Sequence, residues 1–156
     1  AVISIYHGGG GSLVQDMDSL DTEGLDAQLL VDKLSYRFQD PKRFDIIVFP
    51  YQYKEDTYFI KRIIGMPGET VQITDKGEIL INGEELVESY GREVIKDPGL
   101  ASDPITLGED EYFVMGDNRK NSEDSRSADI GAVKRSYIYG KAWFVVSPKK
   151  NFGFVR

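Results

Sequence analysis

Apolar residues along this chain come in short runs, some alternating with polar residues and some continuous, with Gly, Pro, Asn or Asp between them at fairly even spacing. That is the pattern of β-strands joined by turns. It predicts strands over Leu29–Lys33, Asp45–Phe49, Tyr58–Ile64, Thr70–Ile73, Glu78–Ile81, Tyr112–Met115 and Tyr137–Val146. Three junctions carry turn chemistry. Asp75-Lys76-Gly77 and Asn82-Gly83 each supply a Gly for the positive φ of a tight hairpin, and Met66-Pro67-Gly68 forces a turn. From Glu84 to Glu111 the chain is polar, holds Pro98, Gly99 and Pro104, and keeps no period. A mobile excursion at the sheet margin is expected there. The fold class that follows is mostly β, an antiparallel sheet or barrel-like fold with a small polar excursion.

Two further stretches stand apart. Trp143-Phe144-Val145-Val146 is continuous rather than alternating, as a strand buried on both faces is, so Trp143 is expected in the core. Gly8-Gly9-Gly10-Gly11-Ser12 reads as a flexible, introduced linker. Residues 1–12 then form an added segment and its linker, and 13–156 one domain. The alternation of Val2, Ile3, Ile5 and Tyr6 suits a strand added to a sheet edge.

Composition narrows the chemistry. The 156 residues can bury a core, and 19 basic against 26 acidic residues give a net charge of −7. An acidic balance argues against nucleic acid, whose phosphates need a basic face. With no Cys and a single His, His7, thiol nucleophiles and Cys-rich zinc sites are excluded. No apolar run reaches membrane-spanning length, so the chain as given is expected to be soluble.

Candidate chemistry begins at Lys61. In Tyr58–Ile64 the two-residue period puts Lys61 on the face of Phe59 and Ile63, and Arg62 on the face of Ile60 and Ile64. One of two adjacent cations must enter apolar company. A lysine stripped of water there is disfavoured in its charged form and becomes a possible general base. The plain alternative is an edge strand whose lysine reaches out to solvent. A second constellation runs from Met115 to Arg126 and packs Asp117, Asn118, Arg119, Asn121, Ser122, Asp124, Ser125 and Arg126 into one strand end. Carboxylates neutralised by guanidinium forks make such a loop rigid, whereas a solvated surface turn would have no role. Asp117 and Asp124 do not have the spacing of a calcium loop, so no metal is expected.

The stretch Lys61-Arg62-Ile63-Ile64-Gly65-Met66-Pro67-Gly68-Glu69, taken with Gly116-Asp117-Asn118-Arg119 and Ser122-Glu123-Asp124-Ser125-Arg126, resembles the bacterial type I signal peptidases. These are membrane-anchored Ser/Lys endopeptidases that remove signal peptides. Arg43-Phe44-Asp45-Ile46-Ile47-Val48-Phe49 resembles their preceding strand, with Phe44 where Gly is usual, and Leu29 to Phe38 resembles the compact Gram-positive members. The resemblance implies that Lys61 is the general base and that Ser122 holds its amine. It also implies that Asp124 and Arg126 form a buttressing ion pair, with Asp117, Asn118 and Arg119 shaping the same loop. No cofactor is implied. The implied partners are signal peptides of exported proteins and, through an N-terminal anchor, the outer face of the cell membrane. Ile46, Val48 and Phe59 are candidates to line shallow pockets for small substrate side chains.

The nucleophile motif is altered. The family's Ser-Met pair, followed by Thr and Leu, precedes the Leu29 strand, where this chain reads Val14-Gln15-Asp16-Met17-Asp18-Ser19-Leu20-Asp21-Thr22. One register puts Asp18 at the serine position, another Ser19, a third Asp16. Ser19 preserves the dyad, while an aspartate beside Lys61 would hold the lysine protonated and leave an inactive scaffold that binds extended peptides as an assembly partner. In the Ser19 register Met17 stands where the oxyanion hole wants a small or hydroxyl residue.

Overall fold

The structure, a computed structural model, describes residues 3–8, 27–53, 55, 58–91, 93–120, 122–147 and 153–155. Among these, twelve strands form two antiparallel sheets. They are Ile3–Gly8 (β1), Ala27–Asp32 (β2), Ile46–Pro50 (β3), Tyr58–Gly65 (β4), Thr70–Ile73 (β5), Ile79–Ile81 (β6), Glu84–Glu85 (β7), Ile105–Thr106 (β8), Glu111–Met115 (β9), Val133–Lys134 (β10), Gly140–Ser147 (β11) and Gly153–Phe154 (β12). The larger sheet runs β1-β2-β11-β3-β4-β9-β10, with β12 also on β11, and the smaller runs β7-β6-β5-β8.

Each of the seven expected strands is present within a few residues of its expected bounds. The turns behave as their residues require. Gly77 (φ 83), Asn82 (φ 52) and Gly83 (φ 84) take the left-handed values of the two hairpins, and Gly68 (φ 79) closes the turn out of β4. β1 pairs with β2 at the sheet edge, Ile3 opposite Asp32, as the alternation suggested, and it takes in Gly8, the first glycine of the Gly run.

Two expectations are corrected. Trp143 is 42% exposed, not buried, and packs edge-on against the exposed Phe154 at 5.6 Å. Its strand carries a register shift against β2 between Ala142 and Phe144, so the extra residue breaks the two-residue alternation and turns Trp143 outward. The excursion from Glu84 to Glu111 does not hang from the sheet margin. Ile95, Ala101 and Leu107 are buried in the cluster of Ile64, Val71, Ile73, Ile79, Phe113 and Met115 that joins the two sheets. Its fixed points are sparse apolar residues with no period, which sequence patterning does not register.

Core packing explains why β4 is central. β3 and β9 bond to either side of it, and both of its faces are buried. Opposite residues sort the faces. Ile47 faces Lys61 and Phe49 faces Phe59, while Val48 faces Ile60 and Ile46 faces Arg62. Ile47, Phe49, Phe59, Ile63 and Val114 therefore form one cluster, and Val31, Ile46, Val48, Ile60 and Ala142 another on the opposite face. Complete burial of a side chain such as Ile63 contributes about 1.5–3 kcal/mol. At its end β4 has Gly65, where a Cβ would lie 2.6 Å from Val71 Cγ2, and this bare backbone lets the chain cross closely into the smaller sheet.

Candidate active site

Lys61 lies inside the sheet, so the edge-strand alternative falls. Its side chain is 1% exposed. The amine donates to Ser122 Oγ at 3.1 Å and stands 5.2 Å from the Phe59 ring centroid. Two residues far apart in sequence are thus brought to hydrogen-bond distance, one on the central strand and one on the loop after β9. Phe59 shares the Lys61 face, whereas Ile46 and Val48 point to the other cluster. Of the three candidate pocket residues only Phe59 borders the amine.

The neighbouring cation is also buried, so both of the adjacent pair enter the interior rather than one. Arg62 is accommodated by a fork-to-fork pair. Its Nε and Nη2 donate to the two oxygens of Asp117 at 2.9 and 2.7 Å, and its Nη1 donates to the Phe44 carbonyl at 3.0 Å. The guanidinium carbon also lies 3.8 Å from the Tyr90 ring centroid. Phe44 itself has φ 72, a left-handed value that only Gly adopts without strain, which gives a physical reason for Gly being usual at this place.

The loop that carries Ser122 is fixed at both ends by buried charge. Asp124 is fully buried and accepts from Gly116 N at 3.0 Å, from Arg126 N at 3.1 Å, and from Arg126 Nε and Nη2 at 2.8 Å each. Burial alone would push its carboxyl up, but the bonds and charge of Arg126, with the backbone N–H groups of Gly116 and Arg126, hold it below the usual carboxylate range. Arg119 Nε donates to the Gly116 carbonyl at 2.9 Å, and Arg126 Nη1 donates to the Arg119 carbonyl at 2.8 Å. Ser125 Oγ accepts from Val114 N at 2.9 Å, which stitches the loop to β9. Asn118 is half-buried on the same loop.

Asp124 and Arg126 thus form an ion pair, Asp117 pairs with Arg62, and Arg119 bonds back to Gly116 within the loop. Two partners escaped the sequence reading: Arg62 as the counter-ion of Asp117, and Glu88, which pairs with Arg119. The crowding of two cations at 61 and 62 was the signal for the first. Ser19, Asp18, Asp16 and Met17 lie outside the described residues, as do Gly9 to Ser12. Among the described residues no three His, Cys, Asp or Glu side chains gather as a metal site, and no helix is long and apolar enough to cross a membrane.

A buried lysine on a serine hydroxyl, in a scaffold of ion pairs, can move a proton to or from a group brought against its amine. The family model described as signal peptidase, peptidase S26, matches residues 13–147. A signal peptidase I of Leptolyngbya laminosa is 42% identical over 141 residues, covering 86% of this chain and 66% of that protein. A signal peptidase I of Bacillus caldolyticus is 42% identical over 139 residues, covering 81% and 72%. The crystal structure of a signal peptidase I from Enterococcus faecalis V583 superposes with a TM-score of 0.53 at 36% identity, covering 66% of this chain and 97% of that one. The chain thus spans somewhat less than two thirds of the length of the Leptolyngbya protein, and 58% of a Synechocystis relative. Because the match runs through both the strand that carries Lys61 and the loop that carries Ser122, the chain belongs to the signal peptidase family, peptidase S26.

Proposed function

We propose that this chain is the catalytic domain of a type I signal peptidase, which removes signal peptides from exported proteins at the outer face of the cell membrane. The observation that carries the reading is the water-excluded Lys61 amine at 3.1 Å from Ser122 Oγ. In this reading Ser19 Oγ attacks the scissile carbonyl while Lys61 Nζ takes the hydroxyl proton. The tetrahedral intermediate collapses to an acyl-serine, and the proton passes from Lys61 to the departing amine of the mature chain. Water then hydrolyses the ester with the same lysine as base, restoring the serine. Ser122 orients the amine, and the lattice of Asp117, Arg119, Asp124 and Arg126 keeps Ser122 in place. The substrate lies as an extended strand and puts small side chains into shallow pockets beside Phe59.

Relatives from Bacillus and from cyanobacteria match about equally well, which supports the family and not one lineage within it. Curated relatives that are signal peptidases favour catalysis over an inactive scaffold. The altered stretch around Ser19 is what the experiment has to address. Incubation with a signal-peptide-bearing precursor, read by mass spectrometry of the fragments, is expected to give cleavage. Lys61→Ala and Ser19→Ala should each lower turnover by at least about a hundredfold. Full turnover in Lys61→Ala overturns the dyad. Full turnover in Ser19→Ala moves the nucleophile elsewhere, and binding without cleavage in the unaltered chain leaves the inactive scaffold.

A further inference from the structure

The excursion between β7 and β8 reaches back to Arg62 on the strand of Lys61 and to Arg119 and Arg126 on the loop of Ser122. Glu88 receives Arg119 in two parallel contacts, from Nη1 at 2.5 Å and Nη2 at 2.9 Å, and both side chains are at least nine-tenths buried. Gly91 makes room for this pair, since a Cβ there would lie 2.9 Å from Arg119 Nη1. Tyr90 covers the Arg62 guanidinium at 3.8 Å, and its outer side is backed by the Phe44 ring at 5.0 Å. Farther along, Leu100 N donates to the Arg126 carbonyl at 2.8 Å, and Arg126 Nη1 reaches the Asp97 carbonyl at 3.3 Å.

These contacts touch both the strand that carries Lys61 and the loop that carries Ser122. Arg62 is the chain neighbour of Lys61, and Arg119 and Arg126 stand on either side of Ser122. The strained φ of Phe44 fits the same account: a bulky residue persists at a left-handed position where its surroundings over-determine it, and here its carbonyl holds Arg62 while its ring holds Tyr90.

We propose that Glu88 and Tyr90 are positioning residues, a strap that fixes the distance between the Lys61 amine and the Ser122 hydroxyl by holding Arg119 on one side and Arg62 on the other. The proposal rests on the catalytic reading above and deepens it. Neither residue touches the reacting atoms. A strap of this kind acts on the rate of proton transfer, which is sensitive to misplacement of about an ångström, and not on the binding of the peptide.

The test compares Glu88→Gln and Tyr90→Leu with the unaltered chain by steady-state cleavage of a signal-peptide precursor and by amide hydrogen exchange. In both variants kcat should fall about tenfold or more with KM within about twofold. Exchange of the amides of residues 116–126 should speed up about tenfold, while that of β3 and β5 stays as it was. A rise in exchange throughout the molecule, or a change confined to KM, overturns the strap, and so do unchanged exchange and unchanged kcat. If the unaltered chain does not cleave, the catalytic reading fails by itself, and local exchange still decides whether the strap holds the loop.

Discussion

Two turn-rich polar regions of this molecule are held together in opposite ways. The smaller sheet, β5 to β8, is built from hairpins whose turns close on themselves: Gly77 N donates to the Thr74 carbonyl at 2.9 Å, and Thr74 N to the Glu78 carbonyl at the same distance. The loop from Gly116 to Arg126 is polar at every residue after Gly116, but its order comes from buried ion pairs with residues far along the chain, Arg62 and Glu88. A local turn can be strained by one substitution and still form. A lattice of buried charge fails at the charge that loses its partner, and this is how a polar loop can be made rigid enough to place a hydroxyl on a lysine.

Removing a charge from the lattice should therefore give the largest effect. Asp124→Ala leaves Arg126 buried without its carboxylate and the Gly116 N–H without its acceptor, and a loss of about 3–5 kcal/mol is expected in urea unfolding. The same carboxylate makes a pH prediction. Its value in the folded chain is depressed, so its contribution is present above the unfolded value of about 3.9 and is lost as pH falls through the folded value. The acid limb of stability below about pH 4 should accordingly be shallower in Asp124→Ala than in the unaltered chain. Equal acid limbs would mean that the lattice does not carry the loop.

The hairpins give the middle of the range. Gly77 and Gly83 share nearly the same left-handed φ, 83 and 84, but a Cβ on Gly77 would lie 2.7 Å from the Ile95 carbonyl, whereas one on Gly83 meets nothing within 4 Å. Gly83→Ala should cost only the left-handed penalty, about 1–2 kcal/mol. Gly77→Ala should cost about 1–3 kcal/mol more, because the excursion must shift away from the turn. Thermal or urea midpoints of the two variants that coincide would show that the excursion gives way freely, contrary to its buried Ile95.

The same contrast explains what was legible in the sequence. β5 and its two hairpins follow from residues within one turn of each other, so pattern and turn chemistry suffice. Alternation required one of the two cations at 61 and 62 to enter apolar company and left open an edge strand with Lys61 in solvent, whereas burial of both came from the strands on either side of β4. The partners did not follow. Arg62 and Asp117 are 55 residues apart, and Glu88 and Arg119 are 31 apart, and no period links such positions. Trp143 was misjudged for a third reason: a bulge resets which face a residue takes without leaving a sign in composition. The resemblance of the motifs implied the roles, and the structure supplied the distances.

The smallest expected effect is the most discriminating control for the strap. Among the contacts between the excursion and the loop are two neighbouring ion pairs, Glu88 with Arg119 and Glu93 with Lys120, the latter 2.9 Å from Oε2 to Nζ. Both pair opposite charges across the same two segments, but one is a buried guanidinium with two parallel contacts and the other a single ammonium contact open to solvent. Glu93 and Lys120 are about 44 and 43% exposed, so water competes for each partner and salt screens the attraction. Glu93→Gln should change stability by no more than about 0.5 kcal/mol and leave the exchange of residues 116–126 unaltered, while Glu88→Gln speeds it. A matching response in the two variants would mean that the bridge between these segments is set by charge alone, and the burial of Arg119 would then have no part in holding Ser122.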